Sequence, residues 1–195
     1  MFYIYMSFTL SFFTSVAYYS MYENTEKWWK AFYMSSFNIL LLGMLLVLFD
    51  CSTEIPSSQL QLYQIPLVMF FTETLFWIMH KISHTKFLYS RYHSHHHSWK
   101  KVVSASTFDA PFVEFCMCNV APFAIPIVLV SMPNTVRVIS TSLVTWSTVR
   151  SHHIQNGNHS LHHLNPKVNF GLGMYWLDRI TGTYESECSK LKIYK

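Results

Sequence analysis

The run Ala31–Phe49 carries no charged side chain. It is close to the ~20 apolar residues that cross a bilayer as a helix. A soluble domain of 195 residues has little interior in which to bury such a helix on all sides. Further apolar runs follow. Gln64–Met79 is shorter, and its helix is expected to continue into the histidines beyond it. Pro111–Ser131 is long and holds Glu114 near one end. Val138–Val149 is weaker, being rich in Ser and Thr. Phe2–Tyr22 is aromatic and uncharged. It is a fifth span, an interfacial helix or a cleaved signal, and the lack of an N-terminal Lys or Arg argues against the last. Only 12% of residues are charged, about half the usual fraction of soluble domains. The chain therefore reads as an all-α membrane protein. Its net charge of +4 gives no indication of a nucleic-acid partner.

The placement of charge orients it. The loop Asp50–Leu62 contains Asp50 and Glu54 but no Lys or Arg, and the turn at Met132–Asn134 has only Arg137 nearby. The other basic residues fall in Glu23–Lys30, in His80–Lys101, or from Arg150 onward. By the positive-inside rule, two helical hairpins, 31–79 and 111–150, enter the membrane from the cytosol. Residues 1–30 form an N-terminal hydrophobic helix and loop, and 31–195 a single membrane domain. The four cysteines, Cys51, Cys116, Cys118 and Cys188, form no C-x2-C pair and read as free thiols.

All 11 histidines lie between His80 and His163, on the side assigned to the cytosol. They form blocks: His80-x3-His84, His93-x2-His96-His97, His152-His153 and His159-x2-His162-His163. Residues three and four apart share a helix face. His93, His96 and His97 are thus expected on one face with His95 elsewhere, and His159, His162 and His163 repeat the pattern. Neutral imidazole is the commonest protein ligand for borderline metals. A structural zinc is usually closed by four ligands, so this many histidines imply two metals in a dinuclear centre on a helical cap. Glu73 lies two turns before His80. An acid inside a span is functional by default. It is expected to accept an N–H from a ligand imidazole, the plainer reading being a helix-cap or interhelix contact. Asp109 and Glu114 flank the next span and read as surface acids. Tyr89, Tyr92 and Trp99 line the mouth of the site or anchor the interface.

At these residues the chain resembles the fatty acid hydroxylase / sterol desaturase superfamily of membrane oxygenases, over about Phe70–Tyr184. Glu73-Thr-Leu-Phe-Trp-Ile-Met-His80-Lys-Ile-Ser-His84 is similar to the family's first box, with Lys81 where Arg often stands. Arg91-Tyr-His93-Ser-His-His96-His97 is similar to the second box and His159-Ser-Leu-His162-His163 to the third. Asn169-Phe170-Gly171 resembles an Asn-Tyr-Gly motif, and Trp176–Thr183 a Trp-Asp-x-x-x-Gly-Thr segment. The family has one further ligand before the third box, here His152 or His153.

The resemblance implies two iron ions, with zinc as an alternative occupant, and O2 as co-substrate. The expected reaction is hydroxylation or desaturation of an aliphatic C–H in a membrane lipid, sterol or fatty acyl chain. Asn169 and Asp178 are expected to support the ligands or the cap. The sequence shows no Gly-rich dinucleotide fingerprint, so electrons are expected from a partner such as cytochrome b5 and its reductase. The resemblance also implies the endoplasmic reticulum, with the cap facing the cytosol. Asn158-His-Ser160 would then be an unused glycosylation sequon. Two rival readings are an inactive metal-binding scaffold of the same fold and a histidine-rich metal transporter. The transporter should hold its ligands near the bilayer midplane.

Overall fold

The computed structural model describes residues 2–21, 23, 27–48, 62–153 and 157–186. The acidic loop with Asp50 and Glu54, Cys51, Cys188 and residues 192–195 lie outside the described residues. Among the described residues the regular structure is helical. Five long helices are α1 (Phe2–Ser20), α2 (Trp28–Leu48), α3 (Gln64–Ser83), α5 (Phe112–Leu129) and α6 (Asn134–Ser151). Three shorter ones form the cap: α4 (residues 86–96), α7 (Gly157–Leu164) and α8 (Trp176–Thr181).

By length and composition, three helices among the described residues can cross a membrane: Trp28–Leu46 within α2, then α3 and α5. Their outer faces are apolar, with Leu40, Phe71, Val128 and Leu129 exposed, as lipid-facing surface requires. The fourth expected span, α6, forms as a helix but turns its hydroxyls inward: Ser140, Thr141, Thr145 and Thr148 are buried. α1 packs along α6, where Ser7 donates to the Val138 carbonyl (3.1 Å) and meets the Ser142 hydroxyl (2.8 Å). Its Phe8, Phe12 and Val16 share a core with Trp99, Val102, Phe108 and Val149, which ties the N-terminal helix to the region beneath the cap.

One irregular segment sits against the side of a candidate span. The 3-10 turn Ser104–Phe108 is fully buried against α2. Backbone polar groups in such a place need partners inside the protein. α2 supplies them. Ser35 donates to the Ala105 carbonyl (2.7 Å), and Asn38 donates to the carbonyls of Phe108 and Ala110 (both 2.8 Å). Glu23 receives the Ser104 N–H (2.7 Å) and hydroxyl (2.6 Å). Ser35 and Asn38, polar residues within the charge-free run, are therefore braces for the chain segment that carries Asp109.

Candidate metal centre

Four helix ends converge beneath the cap: the C-terminus of α3 with His80 and His84, α4 running into His97, the C-terminus of α6 with His152, and α7. Nine histidines form two adjoining groups. The first is His80, His84, His93, His97 and His162; the second is His96, His152, His159 and His163. Within each group one ring nitrogen per residue lies within 4.8 Å of all the others. The groups touch through stacked rings, His97 on His163 (centroids 4.7 Å apart) and His159 on His162 (5.3 Å).

Helical arithmetic explains the division. At 100° per residue, the i, i+4 members of an H-x2-H-H block lie about 40° apart, while the i+3 member falls about 60° to the other side. In α4 the pair His93 and His97 enters the first group and His96 the second. In α7 the pair His159 and His163 enters the second and His162 the first. Each block thus serves both groups, with opposite weighting. A shared face was the expectation; a face divided between two histidine groups is what forms. α4 also contains a π turn at Tyr89–His93, a feature that concentrates at functional sites.

The nitrogens are placed for a cation. In the first group the Nε2 atoms of His84, His93, His97 and His162 close a ring with edges of 3.0, 3.1, 3.1 and 3.0 Å. Nitrogens about 2.1 Å from one ion and at right angles about it stand about 3.0 Å apart. The outer nitrogens are held by acceptors. Nδ1–H of His80 donates to the Phe170 carbonyl (2.8 Å), that of His162 to Val168 (2.6 Å), that of His159 to Gly171 (3.3 Å) and that of His152 to Thr148 (3.1 Å). His93 Nδ1–H meets the Glu114 carboxylate at 2.5 Å. Fixing the proton on Nδ1 leaves the Nε2 lone pair facing inward. Nε2 of His159 and both ring nitrogens of His163 are buried without a partner. Buried polar atoms seldom stay so unless an ion or water meets them.

Three of those carbonyls come from one loop, residues 168–171, and two carboxylates hold it. Glu73 does not take the expected imidazole N–H. Its oxygens accept the backbone N–H groups of Tyr175 (3.0 Å), Leu172 (3.2 Å) and Gly173 (3.4 Å). Asp178 accepts those of Phe170 and Gly171 (both 2.9 Å) and the Thr183 hydroxyl (2.7 Å). Asn169, at φ 54°, bonds the carbonyls of Asn158 (2.9 Å) and Glu185 (2.8 Å), closing the loop onto α7. Gly171 is required by proximity: a Cβ there would stand 2.5 Å from Glu73 Oε1. Glu73, Asn169 and Asp178 thus act on the histidines through backbone.

Two acids read as surface residues are in fact buried. Asp109 (1% exposed) accepts from His95 Nε2 (2.9 Å) and the Trp99 indole N–H (2.8 Å), and its carbonyl lies 3.4 Å from His96 Nδ1. Glu114 (3% exposed) is the partner of His93. Glu114, like Glu73, is an acid inside an apolar run and is functional by default on the same ground. His95 stands outside both groups. So does His153, whose ring meets Tyr19 at 4.6 Å; of the adjacent pair it is His152 that joins the others. Trp99 is buried. Tyr89 packs against His84 (5.5 Å) and His97 (5.8 Å) at the rim. Arg91 donates to the Tyr92 hydroxyl (3.2 Å).

Desolvation sets the charge of the cap histidines. Burial, then the neighbouring His96, push His84 down to about 4 and His152 to about 3, and burial against the opposing pull of Asp109 lowers His96 to about 4. His93, His97, His159, His162 and His163 are lowered further by burial, then the neighbouring histidines. At neutral pH these imidazoles are uncharged, as ligands must be. Inward lone pairs, unpartnered buried nitrogens and an all-imidazole donor set fit two metal ions of the iron or zinc type.

Membrane-length helices beside buried histidine groups that could hold metal ions define a helical membrane protein with a histidine-rich cap. Residues 65–183, over half the chain, match the fatty acid hydroxylase family, and the chain belongs to it. It is 29% identical over 143 residues to the very-long-chain aldehyde decarbonylase CER1 of Arabidopsis thaliana, covering 61% of this chain and 23% of that protein. It is 27% identical over 146 residues to the Delta(7)-sterol 5(6)-desaturase ERG3A of Gibberella zeae, covering 70% of this chain and 42% of that protein. The chain thus spans under half the length of these relatives. No solved structure matches it.

Proposed function

We propose that this protein oxidises an aliphatic C–H bond of a membrane lipid, a sterol or fatty acyl chain, with O2 at a centre of two iron ions. The observation that supports this most is the convergence of nine imidazoles into two touching groups of five and four. A closed structural zinc site uses four ligands and one ion; five nitrogens in one group and a second group beside it go beyond that need. The two relatives' names point to a long-chain aldehyde and a sterol, both aliphatic lipids.

His80, His84, His93, His97 and His162 would hold one ion, and His96, His152, His159 and His163 the other. Bound iron supplies the reductive activation of O2. The protein holds the rings still through the 168–171 carbonyls and Glu114, and keeps the donor set neutral so that the centre retains its positive charge. Burial excludes bulk water. Phe76 packs on His80 (5.0 Å) and His159 (6.5 Å) and separates the histidines from the membrane-level interior. An apolar cavity lined by Ile4, Tyr5, Phe8, Leu42 and Phe123 lies between α1, α2 and α5, a place for a lipid chain. Electrons come from a partner of the cytochrome b5 type, and the cap faces the cytosol at the endoplasmic reticulum.

The test is His162→Ala and His96→Ala, one from each group, in membranes supplied with a reductase system. Iron content and lipid oxidation should fall together in both. Loss of iron with lipid oxidation unchanged would overturn the assignment.

A further inference from the structure

Two threonines beneath the histidines break the habit of their own helices. A helical Thr ordinarily turns its hydroxyl back to the carbonyl one turn earlier. Thr74 on α3 does so to Phe70 (2.7 Å), and Thr141 and Thr148 on α6 do so to Arg137 (2.6 Å) and Val144 (2.8 Å). Thr72 on α3 and Thr145 on α6 do not. They are 3% and 2% exposed, and their hydroxyls have no partner. Both line the same cavity of about 20 Å³, together with Asn119 and Phe76. That volume holds about one water-sized group.

The position of this cavity gives the hydroxyls a use. Phe76 forms part of its wall, and on its other side the same ring packs against one histidine of each group. Thr148, also in the wall, gives its carbonyl to His152. At the opposite end Phe8 and Phe123 line both this cavity and the larger apolar one, which measures about 110 Å³. The order of environments is thus apolar cavity, aromatic pair, two unpartnered hydroxyls, Phe76, histidines.

Building on the proposed lipid oxidation, we propose that Thr72 and Thr145 receive the neutral, oxygen-bearing end of the lipid, a hydroxyl or carbonyl, with its hydrocarbon chain trailing into the cavity between α1, α2 and α5. Each hydroxyl both donates and accepts, so either oxygen type is matched. No Lys, Arg or His lines the small cavity, and an ionised carboxylate there would be a buried charge without a counterion. The substrate class is therefore a long-chain alcohol, aldehyde or sterol that enters oxygen-first. The carbons nearest its oxygenated end lie closest to the histidines.

The test is equilibrium binding to the purified full chain in lipid nanodiscs, with a radiolabelled saturated primary alcohol, the n-alkane of the same length and the fatty acid of the same length. Wild type should prefer the alcohol to the alkane by about tenfold, the effect of one or two well-made hydrogen bonds, and bind the ionised acid more weakly than the alcohol. The double variant Thr72→Val with Thr145→Val should lose that preference while keeping its alkane affinity, metal content and melting temperature. Thr141→Val, whose hydroxyl is already bonded within α6, should keep the preference. Equal binding of alcohol and alkane by wild type, or a preference that survives the double variant, overturns the proposal. So does a double variant that only melts lower, the mark of hydroxyls that merely hold a structural water. Binding needs no turnover. Wild type that binds alcohol and alkane equally while its iron and oxidation are intact condemns this inference alone, whereas a wild-type preference for the alcohol without bound metal condemns the oxidase reading.

Discussion

Single atoms decide how firmly the histidine rings are held. Gly171 has no side chain because Glu73 Oε1 occupies the place where one would begin. Gly171→Ala should push the carboxylate away from the Leu172 and Tyr175 N–H groups and shift the Phe170 and Gly171 carbonyls that orient His80 and His159. We expect a melting temperature lowered by several degrees, in line with a loss of about 2 kcal/mol, and weaker metal retention during dialysis against a chelator. Unchanged retention would mean that the loop does not position the rings. The adjacent pair His152 and His153 gives a cleaner contrast. His152 joins the second group, whereas His153 packs on Tyr19. Metal content measured by mass spectrometry should fall in His152→Ala and stay at the wild-type level in His153→Ala.

At the scale of elements, the histidine helices were legible in the sequence because spacing of three and four residues is a property of any α-helix. Their division between two groups was not. It depends on where α4 and α7 sit relative to each other, and no local pattern carries that. The roles of Asp109 and Glu114 were also hidden. Each is one acid near the end of an apolar run, and only the packing of Ser104–Phe108 against α2 turns Asp109 toward His95 and Trp99. The Asn38 braces lead to a prediction about that packing. Asn38→Ala removes the side-chain donor from two buried carbonyls, that of Ala110 and that of Phe108, which keeps only the Ala110 N–H (3.0 Å). The expected cost is about 1–3 kcal/mol, read as a lower melting temperature and faster hydrogen exchange across residues 104–110. Exchange unchanged in that segment would contradict the bracing role.

For the whole molecule, the membrane character was plain from Ala31–Phe49 and its neighbours, because a charge-free run has few other places to go. α6 was harder to read, since its Ser and Thr face inward and depress its hydropathy. A buried set of neutral imidazoles also fixes how the metal-free protein responds to acid. His84, His96 and His152 sit at about 4, 4 and 3 in the folded chain, against 6.5 ordinarily. The unfolded chain therefore takes up protons first. Stability is fully present above pH 6.5 and declines as pH falls toward 4. A thermal melt series of chelator-treated protein should show that decline, and a flat profile would contradict the burial. Metal should also leave the loaded protein over the same window, as protons compete for nitrogen. The central claim is that two ions sit in one nitrogen-lined chamber. Metal quantitation joined to X-ray absorption at the iron edge tests it most directly. The account predicts two ions per chain in a shell of nitrogen and light oxygen neighbours with a second metal close by; one ion per chain, or sulfur in the shell, would contradict it.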